Sequence, residues 1–152
     1  MYSQFTSSPS TWTKITLSYT ANYTNPVLYF SIQTAAGTYH YLDDVSVVDT
    51  TAVTLELLDN PSFDNATAFA GWDQWCASTC TPTGNGAPGQ IISGVTCHSP
   101  PYNCFQIECV NAANIYLISQ PFAAILGHTY TISFWHLHAG TGSGTQFYVD
   151  IF

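Results

Sequence analysis

The chain has 152 residues and a mass of 16.6 kDa, the size of one ordinary domain built around one hydrophobic core. Charged residues make up only 7% of it, and Lys14 is the sole Lys or Arg against nine Asp and Glu, so the formal net charge is −8. Phosphate binding needs clustered Lys or Arg, which excludes nucleic acids and anionic membrane surfaces as partners.

The predicted elements are β-strands along the whole chain. Residues 1–5 have the pattern of the end of a strand, and further strands are predicted at 11–19, 27–34, 39–48, 53–58, 90–92, 105–110, 116–122, 129–136 and 146–152. Segments rich in Gly, Pro and Asn separate them, as in a β-sandwich. The Ala-rich stretch at 65–72 is too short for a helix, and no apolar run is long enough to span a bilayer. We therefore expect an all-β sandwich.

Sequons and cysteines together indicate a secreted, extracellular protein. Asn22 and Asn65 each begin an Asn-x-Thr sequon and are predicted to carry N-linked glycans. Five cysteines predict disulfide bonds: Cys76, Cys80, Cys97, Cys104 and Cys109. A bridge between Cys97 and Cys104 closes a turn-rich loop, whereas Cys76 and Cys80 either pair with each other or one of them reaches Cys109. The odd thiol is expected to be free or to bridge to a neighbouring copy.

Three stretches resemble the galactose-binding-like jelly rolls, a superfamily that includes several carbohydrate-binding module families. The sequence "LELLDNPSFDN" at 55–65, followed by "GWDQW" at 71–75, resembles the opening strand and first bend of these domains. The sequence "YHYLDDVSVVD" at 39–49 resembles their closing strand. The family has the opening strand first and the closing strand last, whereas here the order is inverted. The resemblance therefore implies a jelly roll in permuted order.

The inverted order predicts two segments that belong to different halves of a jelly roll. Residues 1–50 supply the C-terminal strands that complete the preceding jelly roll, or their own in a permuted chain. Residues 51–152 supply the N-terminal strands of a jelly roll that the next copy's 1–50 completes. Three routes satisfy this pattern: a covalent tandem array, a polymer of strand-exchanged subunits, and a closed, circularly permuted monomer. In the first two routes the partners are copies of the chain itself.

The resemblance also implies a metal site. Jelly rolls of this kind often hold a structural calcium ion between the opening and closing strands, and Asp64 and Asp44 occupy the matching positions. No cofactor is required otherwise. Neighbouring residues of a strand point to opposite faces, so Asp43 and Asp44 are not expected to act as a carboxylate pair. His136 and His138 share a strand face, but no third ligand is spaced to complete a zinc site with them.

The aromatic residues separate two hypotheses of function. Trp72 and Trp135 are expected in the core, whereas Trp75 and Trp12 are candidate platforms for a sugar ring. The sequence favours a non-catalytic structural repeat of a secreted, glycosylated extracellular filament or coat, and not an enzyme. The alternative is a carbohydrate-binding, lectin-like module, either soluble or appended to an enzyme.

Overall fold

The chain folds into two stacked antiparallel β-sheets, as seen in a computed structural model. The structure describes residues 2–5, 9–35, 37–52, 55–65, 69–76, 89–100, 103–108, 115–141 and 145–152. Within these ranges all regular structure is β-strand, which confirms the predicted all-β sandwich. Its identity as a jelly roll stays a prediction. No helix in the described ranges is long and apolar enough to cross a membrane.

Ten strands make up the two sheets. They are β1 (Tyr2–Phe5), β2 (Thr13–Thr20), β3 (Val27–Gln33), β4 (Thr38–Asp49), β5 (Asp73–Cys76), β6 (Gly89–Ser93), β7 (Asn103–Ile107), β8 (Ile115–Pro121), β9 (Thr129–Gly140) and β10 (Gln146–Ile151). Sheet A has the order β1-β10-β3-β8-β5, and sheet B has the order β2-β9-β4-β7-β6. Side chains that alternate along each strand give every sheet an inner face in the core and an outer face.

Aromatic and aliphatic side chains fill the space between the sheets. In β3, Leu28, Phe30 and Ile32 are buried, while the residues between them are only half-buried. The rings of Phe30 and Phe134 meet edge to face across the sandwich, with centroids 5.1 Å apart. Trp72 is buried in the same core, as expected from the sequence. The alternation of apolar residues therefore decides which face of each strand is internal.

Residues 1–50 and 51–152 interleave within this single chain. The strand β3 lies between β10 and β8 in sheet A, and β4 lies between β9 and β7 in sheet B. The strand β1 pairs with β10 at one edge of sheet A, with Tyr2 opposite Asp150. One chain therefore holds the closed arrangement, and completion by a neighbouring copy stays a prediction.

The segment that resembles an opening strand forms almost no ladder. A strand was predicted at 53–58, but the described part of this segment makes only an isolated bridge between Glu56 and Val48. The Glu56 carboxylate accepts hydrogen bonds from the backbone amides of Val47, Leu57 and Leu58, each at 3.0 Å. Two of these amides belong to the segment itself, and the Leu57 amide is shared with the Val47 carbonyl of β4, so pairing with β4 stays limited to this contact. In contrast, β5 was not predicted, because its residues are all exposed and lack an apolar pattern.

Candidate functional site

A β-bulge in β4 brings two neighbouring carboxylates together. The register of β4 against β9 shifts between Asp43 and Ser46, and Asp44 has a φ of 46°. Side chains do not alternate through a bulge, so the expectation that Asp43 and Asp44 point to opposite faces is wrong. The Asp44 amide donates a 2.8 Å hydrogen bond to the Asp43 carboxylate. Asp43 is buried, with 1% of its surface exposed.

The loop after β6 covers these carboxylates and is tied down by a disulfide. Cys97 bonds to Cys104 with a Cα–Cα distance of 5.4 Å, which confirms the predicted bridge. Cys104 lies in β7 and is buried against the outer face of sheet B together with Tyr41. The described Cys76 is a free, exposed thiol. Cys80 and Cys109 lie outside the described residues, so their pairing stays a prediction.

His98 and Ser99 reach from this loop to both carboxylates. The His98 amide donates to the Asp43 carboxylate at 3.0 Å, and the His98 imidazole Nδ1 lies 3.0 Å from Asp44 Oδ2. The Ser99 hydroxyl donates to the same Asp44 oxygen at 2.9 Å. Ligand atoms of Asp43, Asp44 and His98 all lie within 4.8 Å of one another. We call these three residues the Asp–His cluster.

Two tryptophans hold the His98 ring in place. Trp135 stacks on it with a centroid distance of 3.7 Å, and Trp12 meets its edge at 5.7 Å. Trp12 directly precedes β2, and its indole N–H donates a hydrogen bond to the Thr96 carbonyl. This bond connects the start of β2 to the loop that carries His98. Trp135 therefore lies half-buried on the outer face of sheet B, and its predicted place in the core is wrong. Trp12 is half-buried against Tyr41 and His98, so little of its ring is available as a sugar platform.

Asp64, the other predicted calcium ligand, does not join the Asp–His cluster. Its carboxylate accepts hydrogen bonds from the Ser62 hydroxyl at 2.8 Å and from the Asn103 amide at 3.4 Å. The donor set around Asp44 instead includes an imidazole nitrogen, whereas calcium prefers six to eight oxygens. Calcium between Asp44 and Asp64 stays a prediction.

Burial makes Asp43 the unusual acid of the cluster. Its pKa is raised to about 6, first by burial and second by the negative charge of Asp44, while hydrogen bonds from backbone amides oppose the rise. The His98 amide and the His98 imidazole reach these two carboxylates from the loop after β6. The site therefore combines a buried acid, a half-exposed acid and an oriented imidazole.

A second cluster of histidines lies on the inner face of sheet B. His136 and His138 share a face, as predicted, and His40 joins them from β4, where it pairs in register with His138. The Nδ1 of His40 lies 2.9 Å from the Nε2 of His136, and both side chains are fully buried. The outer nitrogens of this pair, His40 Nε2 and His136 Nδ1, have no hydrogen-bond partner. The sequence analysis did not identify His40, although it lies in the strand that resembles a closing strand.

The histidine pair is held neutral. Burial first, and the neighbouring histidines second, lower the pKa of His40 to about 2 and that of His136 to about 3. Burial also lowers the pKa of His138. His136 stacks on Phe147 with a centroid distance of 4.1 Å. These aromatic, uncharged surroundings offer no hydrogen-bond partner to His40 Nε2 or His136 Nδ1. Each unsatisfied nitrogen lowers the stability of the fold by about 1–3 kcal/mol.

The outer face of sheet A carries an open aromatic surface. Tyr148, Ser31, Leu117 and Trp75 lie opposite one another in a row across β10, β3, β8 and β5. Trp75 is 57% exposed. A groove of about 350 Å³ runs along the same face. It is lined by Tyr29, Ser31, Ile115, Leu117, Tyr148, Asp150 and Phe152. We call this surface the aromatic face.

Both asparagines of the predicted sequons are exposed. Asn22 lies in the loop between β2 and β3, where its side-chain oxygen accepts a 2.9 Å hydrogen bond from the Tyr19 hydroxyl. Asn65 lies beyond the buried Phe63, and its amide donates to the Asn60 side chain at 2.9 Å. Exposure is compatible with glycans at both positions, and their attachment stays a prediction.

Comparison with protein-family models, with curated proteins and with solved structures returned no match for this chain. A function therefore has to follow from the chain's own surfaces and clusters. Three of these stand out in the described residues: the Asp–His cluster, the buried histidines and the aromatic face.

Proposed function

We propose that this chain is a non-catalytic structural unit of a secreted, glycosylated extracellular filament or coat. In this proposal, residues 1–50 of one copy complete the sandwich formed by 51–152 of another. The partners are copies of the same chain, and N-linked glycans at Asn22 and Asn65 cover part of the outside.

The observation that carries this proposal is the position of β3 and β4. Each of them is the middle strand of its sheet, and both come from residues 1–50. Without them, β10 and β8 lose β3, the strand that both pair with in sheet A, and β9 and β7 lose β4, the strand that both pair with in sheet B. Residues 51–152 therefore need a 1–50 segment, and one supplied by a neighbour makes the same hydrogen bonds as their own.

The connection between the two segments is a short surface turn that is suited to such an exchange. Thr51 caps it by donating its amide to the Asp49 carboxylate at 2.8 Å, and Leu57 returns to Val47 with a 3.0 Å backbone hydrogen bond. Few core contacts would be lost if this turn opened, because Thr50, Thr51 and Ala52 are exposed. Exchange of an identical segment between copies is a low-cost route to a polymer.

The experiment is a cross-link between the two segments. Ser18 in β2 lies directly opposite Thr131 in β9. We expect Ser18→Cys/Thr131→Cys, in a Cys76→Ser background, to give a ladder of covalent oligomers when concentrated protein is oxidised. The ladder is read on a non-reducing gel, and electron microscopy of the same sample should show filaments.

Each single-cysteine variant in the same background is the matched control and should give at most a dimer. A double variant that runs only as a cross-linked monomer, from a sample without filaments, would show that each chain completes itself. That result would leave a closed monomer and overturn the proposed exchange.

A second function, carbohydrate binding, is favoured by the aromatic face. Aromatic rings with nearby polar groups suit sugar rings, and here Tyr29 and Tyr148 line the groove with Ser31 and Asp150. Trp75 extends the same face on the other side of Leu117. This surface is shallow and open, as a site for an extended glycan chain would be.

Glycan-array binding tests this second function. Replacing Trp75 by Ala should weaken binding about tenfold, the loss expected for one aromatic contact of about 1–1.5 kcal/mol. Leu55, which is 67% exposed outside the aromatic face, provides the control variant Leu55→Ala. Equal binding by both variants, or no binding by the wild type, would argue against a sugar site on this face.

A further inference from the structure

We propose that the Asp–His cluster binds a divalent transition-metal ion of the zinc type, held by the carboxylates of Asp43 and Asp44 and by the imidazole of His98. This inference is independent of the proposed assembly. It concerns the outer face of sheet B, whereas calcium between Asp44 and Asp64 would be a different site with a different donor set.

The spacing of the donor atoms fits one ion. The His98 Nδ1 and the Asp44 Oδ2 are 3.0 Å apart, and a ligand atom of Asp43 lies within 4.8 Å of both. Zinc binds nitrogen and carboxylate oxygen at about 2.0–2.2 Å, which places two ligand atoms of a tetrahedral site about 3.3 Å apart. Small side-chain rotations therefore suffice. On binding, the ion replaces the hydrogen bond between His98 and Asp44, and the neutral ring keeps its proton on Nε2.

The loop that carries His98 is already fixed in position. The Cys97–Cys104 disulfide lies directly beside it, and stacking on Trp135 sets the plane of the ring. The Asp43 carboxylate is oriented by amides of Asp44 and His98. Because these groups are ordered before an ion arrives, binding costs little conformational entropy.

The charge balance of this region also calls for a cation. Lys14 is the only Lys or Arg in the chain. It lies opposite Trp135, which in turn lies opposite Asp43, so two strand spacings, about 10 Å, separate it from the cluster. Buried carboxylates are normally paired with a cation or bound to a metal. In the described residues around Asp43, the one partner able to become cationic is His98 itself.

The nature of the donors selects the ion. An imidazole with two carboxylates suits zinc and similar divalent ions, whereas calcium would need more oxygens than Asp43, Asp44 and Ser99 supply. The Ser99 hydroxyl, 2.9 Å from Asp44, stays outside the three-ligand set and orients one carboxylate. Water would complete the coordination on the exposed side of Asp44.

Isothermal titration with ZnCl₂ and with CaCl₂ tests the site in metal-free Cys76→Ser protein, in which the exposed thiol cannot bind zinc. We expect zinc to bind with one-to-one stoichiometry and more tightly than calcium. His98→Gln and Asp44→Asn should each weaken zinc binding by about tenfold or more. Asn tolerates the positive φ at position 44, so Asp44→Asn removes the charge without straining the backbone. Thermal melts in EDTA should show both variants folded.

Two variants serve as matched controls. His128→Gln removes the imidazole of the other described Asp–His pair, in which His128 Nδ1 lies 2.7 Å from Asp49 but no second carboxylate joins. Asp64→Asn removes the other acid of the predicted calcium site. Both should bind zinc like the parent protein. The inference is overturned if zinc does not bind, if His98→Gln binds it normally, or if calcium binds more tightly and is lost in Asp64→Asn.

Discussion

Lowering the pH from 6.5 to 4.5 is expected to remove about 5 kcal/mol of stability through the buried histidine pair alone. In the unfolded chain, His40 and His136 take up protons with a pKa of about 6.5. In the folded chain, burial keeps their pKa values near 2 and 3, so both stay neutral through this range. The unfolded state therefore binds about two more protons than the folded state. Each of these protons lowers the free energy of unfolding by about 1.36 kcal/mol for every pH unit.

The sign of this effect follows from the lowered pKa values. A base whose pKa is lower in the folded state contributes full stability above its unfolded pKa, and it loses that stability as the pH falls. Asp43 acts in the opposite direction, because an acid with a pKa raised to about 6 gains a proton in the folded state first. Protonation of Asp43 in the folded state therefore raises the free energy of unfolding by about 2 kcal/mol between pH 6 and 4.5. The pair and Asp43 together should therefore remove about 3 kcal/mol from the wild type, and His138, whose pKa burial also lowers, acts in the same direction as the pair.

Urea unfolding at pH 6.5 and 4.5, in EDTA, measures this difference. The variant His40→Gln/His136→Gln has nothing to titrate at the pair, so its stability should not fall with pH as that of the wild type does. Its pH dependence should differ from the wild type's by about 5 kcal/mol. Leu55→Ala changes an exposed side chain outside the pair and should behave like the wild type. Parallel pH profiles of the wild type and the double variant would contradict the neutral pair.

The strands that could be predicted are those with a strong alternation of apolar residues. In β3 and β10 the inward residues are apolar and the outward ones mostly polar, so the sequence identifies both the strand and its buried face. The segment at 55–58 has similar residues, but it forms only one isolated β-bridge, between Glu56 and Val48. What overrides its propensity is the Glu56 carboxylate, which binds three backbone amides. A side-chain hydrogen bond of this kind leaves no periodic signal in a sequence.

The candidate site was predictable only in its parts. Asp44 and the Cys97–Cys104 loop were recognised from the sequence, but His98 was not, because a lone histidine in a turn-rich loop carries no spacing signal. The bulge that turns Asp43 toward Asp44 depends on the pairing of β4 with β9. His40 was missed for the same reason: its approach to His136 is a diagonal contact between strands. Contacts set by strand register are thus the part that single-strand reasoning cannot supply.

Replacing Gly140 by Ala is expected to destabilise the fold far more than the same change at Gly127. Both glycines have positive φ values, 107° and 79°, which Ala adopts only with strain. At Gly127 an added Cβ meets nothing within 4 Å, so only this backbone cost of about 1–2 kcal/mol applies. At Gly140 the Cβ would overlap the Gly37 carbonyl oxygen and lie 2.9 Å from the Thr38 Cα. These are backbone atoms at the start of the adjoining strand β4 and cannot rotate away.

The overlap forces β9 and β4 apart where Thr38 pairs with Gly140. The steric cost of about 1–3 kcal/mol adds to the strain, so Gly140→Ala should lose about 4 kcal/mol in all. For a chain of this size, thermal melting should show a drop of roughly 10 °C for Gly140→Ala and roughly 3–5 °C for Gly127→Ala. Since His40 and His138 lie on the same two strands just beyond this contact, the larger loss should be accompanied by faster amide hydrogen exchange in β4 and β9 than in the Gly127→Ala protein. Equal melting temperatures for the two variants would mean that β4 and β9 are not packed together at this end as tightly as the described contacts require.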